Sequence, residues 1–354
     1  MKRGGVQQMD DRKLRILAAV VDEYVTTGEP VGSKTIAALP DIHVSAATIR
    51  NDMAVLEQLG LLEQPHTSAG RVPTFQGYKV YIERCMHGQG LSPEERQRLD
   101  GMFPDDTPLT EELLIQSATT ALAEITKCAA VAVNAAPEFS VISKVEVIPT
   151  GKRLYVILLI TSAGSIKNKA CRLEFDLNEE QLSFFTAFLT EHLHGISLGD
   201  LSPELFEQLI TAMGTYMATL APLMQGLYEL SRDMMRQELT VNGTRNLLTC
   251  GELETQDIVE FMEHQDVIMP LLNSTFSGIH VMFSDEAQSG QSPTFVIGNS
   301  SMIVGRYRRD GRDAGGLGII GPMRLDYAKV IPYLEYFTQK ITELISEKEE
   351  DDNA

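Results

Sequence analysis

The stretch VSAATIRNDMAVLEQLGLLEQPHTSAGRVPT, residues 44–74, decides how the chain is read. Ser45 has the side chain that accepts a hydrogen bond at the start of a helix. Ile49, Met53, Leu56 and Leu59 then repeat at helical spacing on one face, and Gly60 stands where a left-handed residue ends a helix. Near the N-terminal end lie Ser45, Ala46, Thr48, Arg50 and Asn51, small or hydrogen-bonding residues of the kind that enters a major groove. Ala46 and Ala47 permit close approach. Arg50 offers two hydrogen bonds to guanine and Asn51 two to adenine, each worth about 1–3 kcal/mol of discrimination. Helical spacing keeps both from pointing straight into the groove, so one of them contacts phosphate instead, and which one stays open. Leu61–Gln64 reads as a strand, PHTSAGR as a turn and Val72 as the start of a return strand, which makes a hairpin. His66, Thr67, Ser68 and Arg71 supply donors on that wing, while Ala69 and Gly70 keep its tip slim.

Upstream, Asp10 and Asp11 cap a helix carrying Leu14, Leu17, Val21 and Tyr24, which ends before Gly28. After the turn GEPVGS, Ser33 opens a short helix through Leu39 that Pro40 stops, and Lys34 on it is a candidate phosphate contact. Three short helices followed by a hairpin form a winged helix-turn-helix. Thr74 starts a further helix, FQGYKVYIERCM, and HGQGLSPEE has the Gly, Ser and Pro content of a linker.

Beyond the linker the pattern is α+β. An amphipathic helix over 110–128 precedes strand-like runs Ala129–Ala135 and Val141–Pro149, then a hairpin of Leu154–Thr161 and Ala170–Phe175 around SAGSIKN. From Asn178 the period is helical for about 55 residues. Strand-like sequence returns at Ile279–Ser284, Thr294–Gly298, Ser300–Arg306 and Leu317–Ile320, and a terminal helix spans Ala328–Glu347. Too few strands precede residue 178 to bury a sheet alone, so one α+β domain interrupted by a helical insertion is expected.

Composition narrows the function. The net charge of −19 divides unevenly: residues 1–90 hold ten Lys/Arg and ten Asp/Glu, and the rest of the chain carries the whole deficit. Only the N-terminal part is electrostatically fit to approach phosphate. The longest apolar run, Leu154–Ile160, is far short of a membrane span, and MKRGGVQQMDD has no signal-peptide core. A cytoplasmic protein is expected, associated with the nucleoid when bound. Cys85, Cys128, Cys171 and Cys250 are far apart with no CxxC pair, which predicts four reduced thiols.

The segment SAATIRNDMAVLEQLGLLEQPHTSAGRVPTFQGYKVYI, residues 45–82, resembles the N-terminal signature of the HrcA family of heat-inducible transcription repressors. NGTRNLL at 242–248 and GGLGIIGPMRLDYAKVI at 315–331 extend the resemblance over nearly the whole chain; MKRGGVQQ and the acidic tail after Ile345 depart from it. The resemblance implies a negative regulator of chaperone genes that binds double-stranded DNA, at an inverted-repeat operator, as a homodimer, and whose activity depends on the GroE chaperonin. It also implies a winged helix over 1–90 with the linker, a GAF-like domain in two parts (105–177 and 234–347), an inserted dimerising domain over 178–233 and an acidic tail over 348–354.

In that insertion Phe184, Phe185, Phe188, Met213, Met217 and Met224, with Met234 and Met235 just after it, exceed what a few short helices bury alone, which predicts burial against a second subunit. A two-fold dimer places its recognition helices on half-sites about 34 Å apart or a multiple of it. No cofactor and no metal are expected. His192 and His194 lack a third ligand nearby, and no GxSxG, HExxH or similar catalytic arrangement occurs, so the chain is not read as an enzyme. GRDAGGLGIIGPMRLDY lacks phosphate-loop spacing; its glycines are read as turns beside a strand, and Arg324, Asp326 and Tyr327 as groups holding the terminal helix to the sheet. The alternative from another class is a ligand-responsive sensor or interaction scaffold whose winged helix binds protein. Steep weakening by salt marks DNA binding instead.

Overall fold

The computed structural model describes residues 9–66, 69–86, 90–103, 111–134, 140–162, 164–214, 219–273, 278–284, 297–309 and 311–352. Helix α1 (Asp11–Thr27) is capped by Asp10, whose carboxylate accepts from the Lys13 backbone at 2.9 Å, and ends at Gly28 with φ +72°. Helix α2 (Ser33–Ala37) stops two residues before the expected Leu39. Helix α3 (Ala46–Gln58) starts on Ser45, which accepts from Thr48 N at 3.2 Å, and Gly60 takes the expected left-handed conformation. The wing pairs β1 (Leu62–Glu63) with β2 (Val72–Pro73), and Val31 bridges to Arg71 through two 2.9 Å hydrogen bonds. A Cβ at Gly70 would lie 2.3 Å from the Val31 carbonyl oxygen, so only glycine lets the wing close there. Helix α4 (Phe75–Val80) runs into a π-helical turn, Tyr81–Cys85.

The expected linker is partly helical. Ser92 and Glu95 form a capping box for α5 (Pro93–Asp100), which is fastened to the last helix, α13 (Tyr327–Asp352), by Tyr336 and Lys340 on Asp100.

The body is a five-stranded antiparallel sheet in the order β7-β3-β10-β9-β8, from β3 (Ala129–Asn134), β7 (Leu239–Asn242), β8 (Ile279–Phe283), β9 (Ser300–Arg309) and β10 (Arg312–Pro322). Strand alternation sorts its two faces. Ala130, Ala132, Ile303, Leu317 and Ile319 pack with α6 (Glu111–Thr126) and α13. Ala129, Val131, Val133, Met302 and Ile320 pack with α10 (Thr244–Thr249), α11 (Thr255–Glu263) and α12 (Met269–Asn273). This is the expected α+β domain. Of the expected strand Thr294–Gly298, only Ile297 and Gly298 are described, and they form a turn.

The glycines at 315, 316 and 318 lie inside β10 rather than in turns. A Cβ at Gly315 would sit 2.1 Å from the Tyr307 hydroxyl, and one at Gly316 2.6 Å from the Leu272 carbonyl. Neighbours approach the strand too closely for side chains there.

The largest departure concerns the insertion. Strands β4 (Ile142–Gly151), β5 (Leu154–Thr161) and β6 (Ile166–Arg172) form a separate antiparallel sheet. Its return strand begins within the expected turn SAGSIKN. Helices α7 (Glu179–Leu193), α8 (Pro203–Ala212) and α9 (Ala221–Met235) join this sheet in one core: Val145, Ile157 and Leu159 meet Phe185, Leu189, Met224 and Leu227. A boundary at 178 cuts through that core, because the sheet needs these helices to cover its apolar face. The excursion leaves after β3 and returns at β7, two strands that pair with each other, Val133 opposite Leu239.

The winged helix shares a continuous core with the body. Tyr78 of α4 packs against Tyr327 and Phe283 at ring-centroid separations of 5.6 and 6.2 Å, and Phe103 meets Phe337 at 5.3 Å.

Candidate DNA-binding surface

Helix α3 buries Ile49, Asp52, Met53 and Leu56. At about 100° per residue, the middle of the opposite arc falls on Ala47, Asn51 and Gln58, all exposed. Arg50, also exposed, flanks that arc, while Ala46 and Thr48 are half-buried. Ser45 is exposed, but its hydroxyl caps the helix and lies 2.9 Å from that of Thr48. Lys34 on α2 and His66 on the wing are exposed as well. Thr67 and Ser68 lie outside the described residues.

Two ion pairs hold this surface in shape. Asp52, 5% exposed, accepts from Arg12 Nε at 2.8 Å and Nη2 at 3.1 Å, so the start of α1 grips the middle of α3 with a two-pronged hydrogen bond. That bond to Asp52 pushes the Arg12 guanidinium further up, and it stays charged. Lys13 stands 3.9 Å from the same carboxylate. Arg71, expected as a free donor on the wing, instead donates from Nε to Glu57 at 3.0 Å, with Nη2 at 2.8 Å. It ties the root of the wing to the last turn of α3. Gln64 donates to the Ala69 carbonyl at 3.0 Å and closes the wing loop. Sequence reading missed Asp52; a carboxylate on the apolar stripe beside Met53 was the available signal.

Most of the residues expected at a dimer contact fall elsewhere. Phe185, Phe188, Met213 and Met224 are buried inside the insert's own core, against the sheet that had been assigned to the neighbouring domain. Phe184 is 51% exposed and stacks on Phe188; Met217 lies outside the described residues. The other face of the small sheet is half-exposed and largely apolar, with the Lys144–Glu146 ion pair at its β4 side. Val156, Leu158 and Ile160 of β5 alternate outward, with Ile148 opposite Val156 and Ile166 opposite Ile160.

The histidine pair separates. His192 stacks on Phe188 and bonds its carbonyl, whereas His194 bonds the Ser143 carbonyl at 2.8 Å. Among the described residues no group of three His, Cys, Asp or Glu is placed to hold a metal ion. No helix among them is long and apolar enough to cross a membrane. Arg324 does not hold the terminal helix to the sheet; it reaches across to α1 and to Glu252. Tyr327 donates to the Met323 carbonyl and packs against Tyr78, while Asp326 pairs with Lys329 at the start of α13.

Comparison with known proteins supports the assignment of these parts. Residues 8–85 match the family described as the winged helix-turn-helix transcription repressor, HrcA DNA-binding, and residues 112–331 match the HrcA protein C-terminal domain. The chain is similar to the heat-inducible transcription repressor HrcA of Acetivibrio thermocellus, 31% identical over 95% of this chain and 96% of that one. It is likewise similar to that of Ruminiclostridium cellulolyticum, 32% identical over 95% and 97%. A crystal structure of a hypothetical protein shares the fold at TM-score 0.65 and 22% identity, covering 96% of this chain and 99% of its own. The winged helix with its exposed arc on α3, the α+β body behind it and matches over almost the full length agree: the chain belongs to the HrcA family of heat-inducible transcription repressors.

Proposed function

We propose that the chain binds an inverted-repeat operator upstream of chaperone operons as a homodimer, and represses by covering the promoter. The exposed arc of α3, braced by Arg12–Asp52 and Arg71–Glu57, carries this reading. Asn51, near the middle of the arc, reads a base edge; Arg50, on its flank, takes a phosphate, as does Lys34. Ser45, Ala46 and Thr48 shape the leading end of the helix, and His66, Thr67 and Ser68 approach the DNA from the wing, with Arg71 as its brace. The near-neutral winged helix faces the duplex and the acidic remainder points away.

Dimerisation runs through the open face of the insert's sheet, where Val156, Leu158, Ile160, Ile148 and Ile166 present apolar side chains. A second copy offers the same patch about a two-fold axis, the symmetry an inverted repeat requires. Dependence on the GroE chaperonin accompanies the family resemblance: heat diverts the chaperonin to unfolded proteins and repression falls.

A mobility shift tests the reading, using an inverted-repeat duplex and a control with one half-site scrambled, over a salt series and with chaperonin present. Asn51→Ala is expected to narrow the preference for the intact operator by about 1–3 kcal/mol. Arg50→Ala weakens both duplexes alike and lowers the salt slope by about one. Wild-type protein that shifts neither duplex sinks the proposal.

A further inference from the structure

The winged helix and the body leave a cleft of about 350 Å³ along their seam, at the small end of the range for ligand sites. Tyr24, Glu63, Phe75 and Tyr78 line it from the winged helix, and Glu252 and Arg324 from the body. Arg324 already donates from all three nitrogens, to the Val25 carbonyl at 2.7 Å and to Glu252, and its guanidinium lies over Gly28, where an added Cβ would meet it at 3.5 Å. Its charge is cancelled by Glu252, so the cleft has nothing to offer an anion.

Glu63 is different. It is exposed at the rim, and its carboxylate has no ion-pair or hydrogen-bond partner among the described residues. The cleft as a whole is therefore negative. Its walls include the rings of Tyr24 and Phe75, whose faces attract cations. Tyr78, 1% exposed, has a hydroxyl with no hydrogen-bond partner, an unusual and costly state for a buried polar group. Burial pushes the Tyr78 phenol well up, and burial followed by Glu252 pushes Tyr24 up, so both remain neutral hydroxyls.

We propose that this seam cleft binds a small organic ammonium ion, its charged head against Glu63 and the aromatic rings of the winged helix and its carbon body against Met323 of the body. An occupant touching both sides favours one angle between winged helix and body, and so shifts the population able to span two half-sites. That regulatory clause rests on the operator-binding reading above.

Calorimetry on the full chain tests it with phenethylammonium, 2-phenylethanol and phenylacetate at equal ionic strength. The ammonium ion is expected to bind at least about tenfold tighter than the alcohol and phenylacetate not at all, since only the first pairs with a carboxylate. Glu63→Gln, a surface change, should weaken the ammonium ion about tenfold and leave the alcohol unaffected. Equal binding of ammonium ion and alcohol, or unchanged ammonium binding by Glu63→Gln, overturns the site. Mobility shifts then ask whether the ammonium ion changes operator affinity several-fold in wild type; binding without such a change overturns the regulatory clause and leaves the site standing. If no operator is bound at all, the repressor reading fails while the calorimetry still judges the cleft.

Discussion

The winged helix and the insert are both small bodies whose apolar cores need helices, yet one is written locally and the other is not. In the winged helix three helices announce themselves: Asp10, Ser45 and Thr74 cap them, and Gly28 and Gly60 follow the first two in the left-handed region. In the insert the cover for β4–β6 comes from helices that follow the strands in sequence, so no window holds both halves of the core. Local signals find elements; only packing finds the partner of a face.

The largest effect should come from removing the insert. Because Val133 stands opposite Leu239 at the end of the β3–β7 ladder, replacing residues 134–238 with Asn-Gly closes an ordinary two-residue hairpin. The shortened chain is expected to fold cooperatively, run as a monomer in light scattering and lose operator affinity about a hundredfold or more, as a linked second site is lost. A tight dimer would remove the insert from that role. Deleting only 178–233 would strip α7–α9 from the sheet and give aggregation instead.

Leu158→Lys sharpens the same comparison without touching the insert's core. The new ammonium would face the Glu146 that Lys144 already pairs and add an excess positive charge between Val156 and Ile160. Monomers with an unchanged circular dichroism spectrum are expected; a dimer at micromolar concentration would move the contact elsewhere.

Smaller effects probe the winged helix. Arg12→Ala leaves the buried Asp52 carboxylate with only Lys13 at 3.9 Å, so the melting temperature should drop by a few degrees and operator affinity with it, as α3 loses its brace. Asp52→Asn should lose less, since its amide still accepts from Arg12. A melting temperature unchanged in Arg12→Ala would show that α3 is held by its apolar face alone.

The smallest effect concerns Asp22, which accepts from the Tyr81 hydroxyl at 2.6 Å. Burial first, and repulsion from Asp326 after it, push its carboxyl up, against the opposing hydrogen bond. A folded-state pKa raised above the unfolded value means stability that is present at low pH and lost as pH rises through the folded value. Asp22→Asn should therefore raise the melting temperature at neutral pH, with the gain vanishing below about pH 4, where the wild-type carboxyl is protonated too. A gain that persists at pH 3 would assign the effect to packing rather than charge.

Sequence alone determined the winged helix, the exposed arc of α3 and the split of charge, because caps, turn residues and helical spacing act over a few positions. The residues 44–74 needed no tertiary information to be read as α3 and its wing. Tertiary structure decided what lies far apart along the chain. It placed Asp52 in the grip of Arg12, forty residues away, and sent Arg324 to the Val25 carbonyl. It put the glycines of β10 inside a strand and buried Phe185 and Met224 against the insert's own sheet. Each of these depends on which face meets which, a choice made when the whole chain collapses and apolar surface finds the cover that excludes the most water.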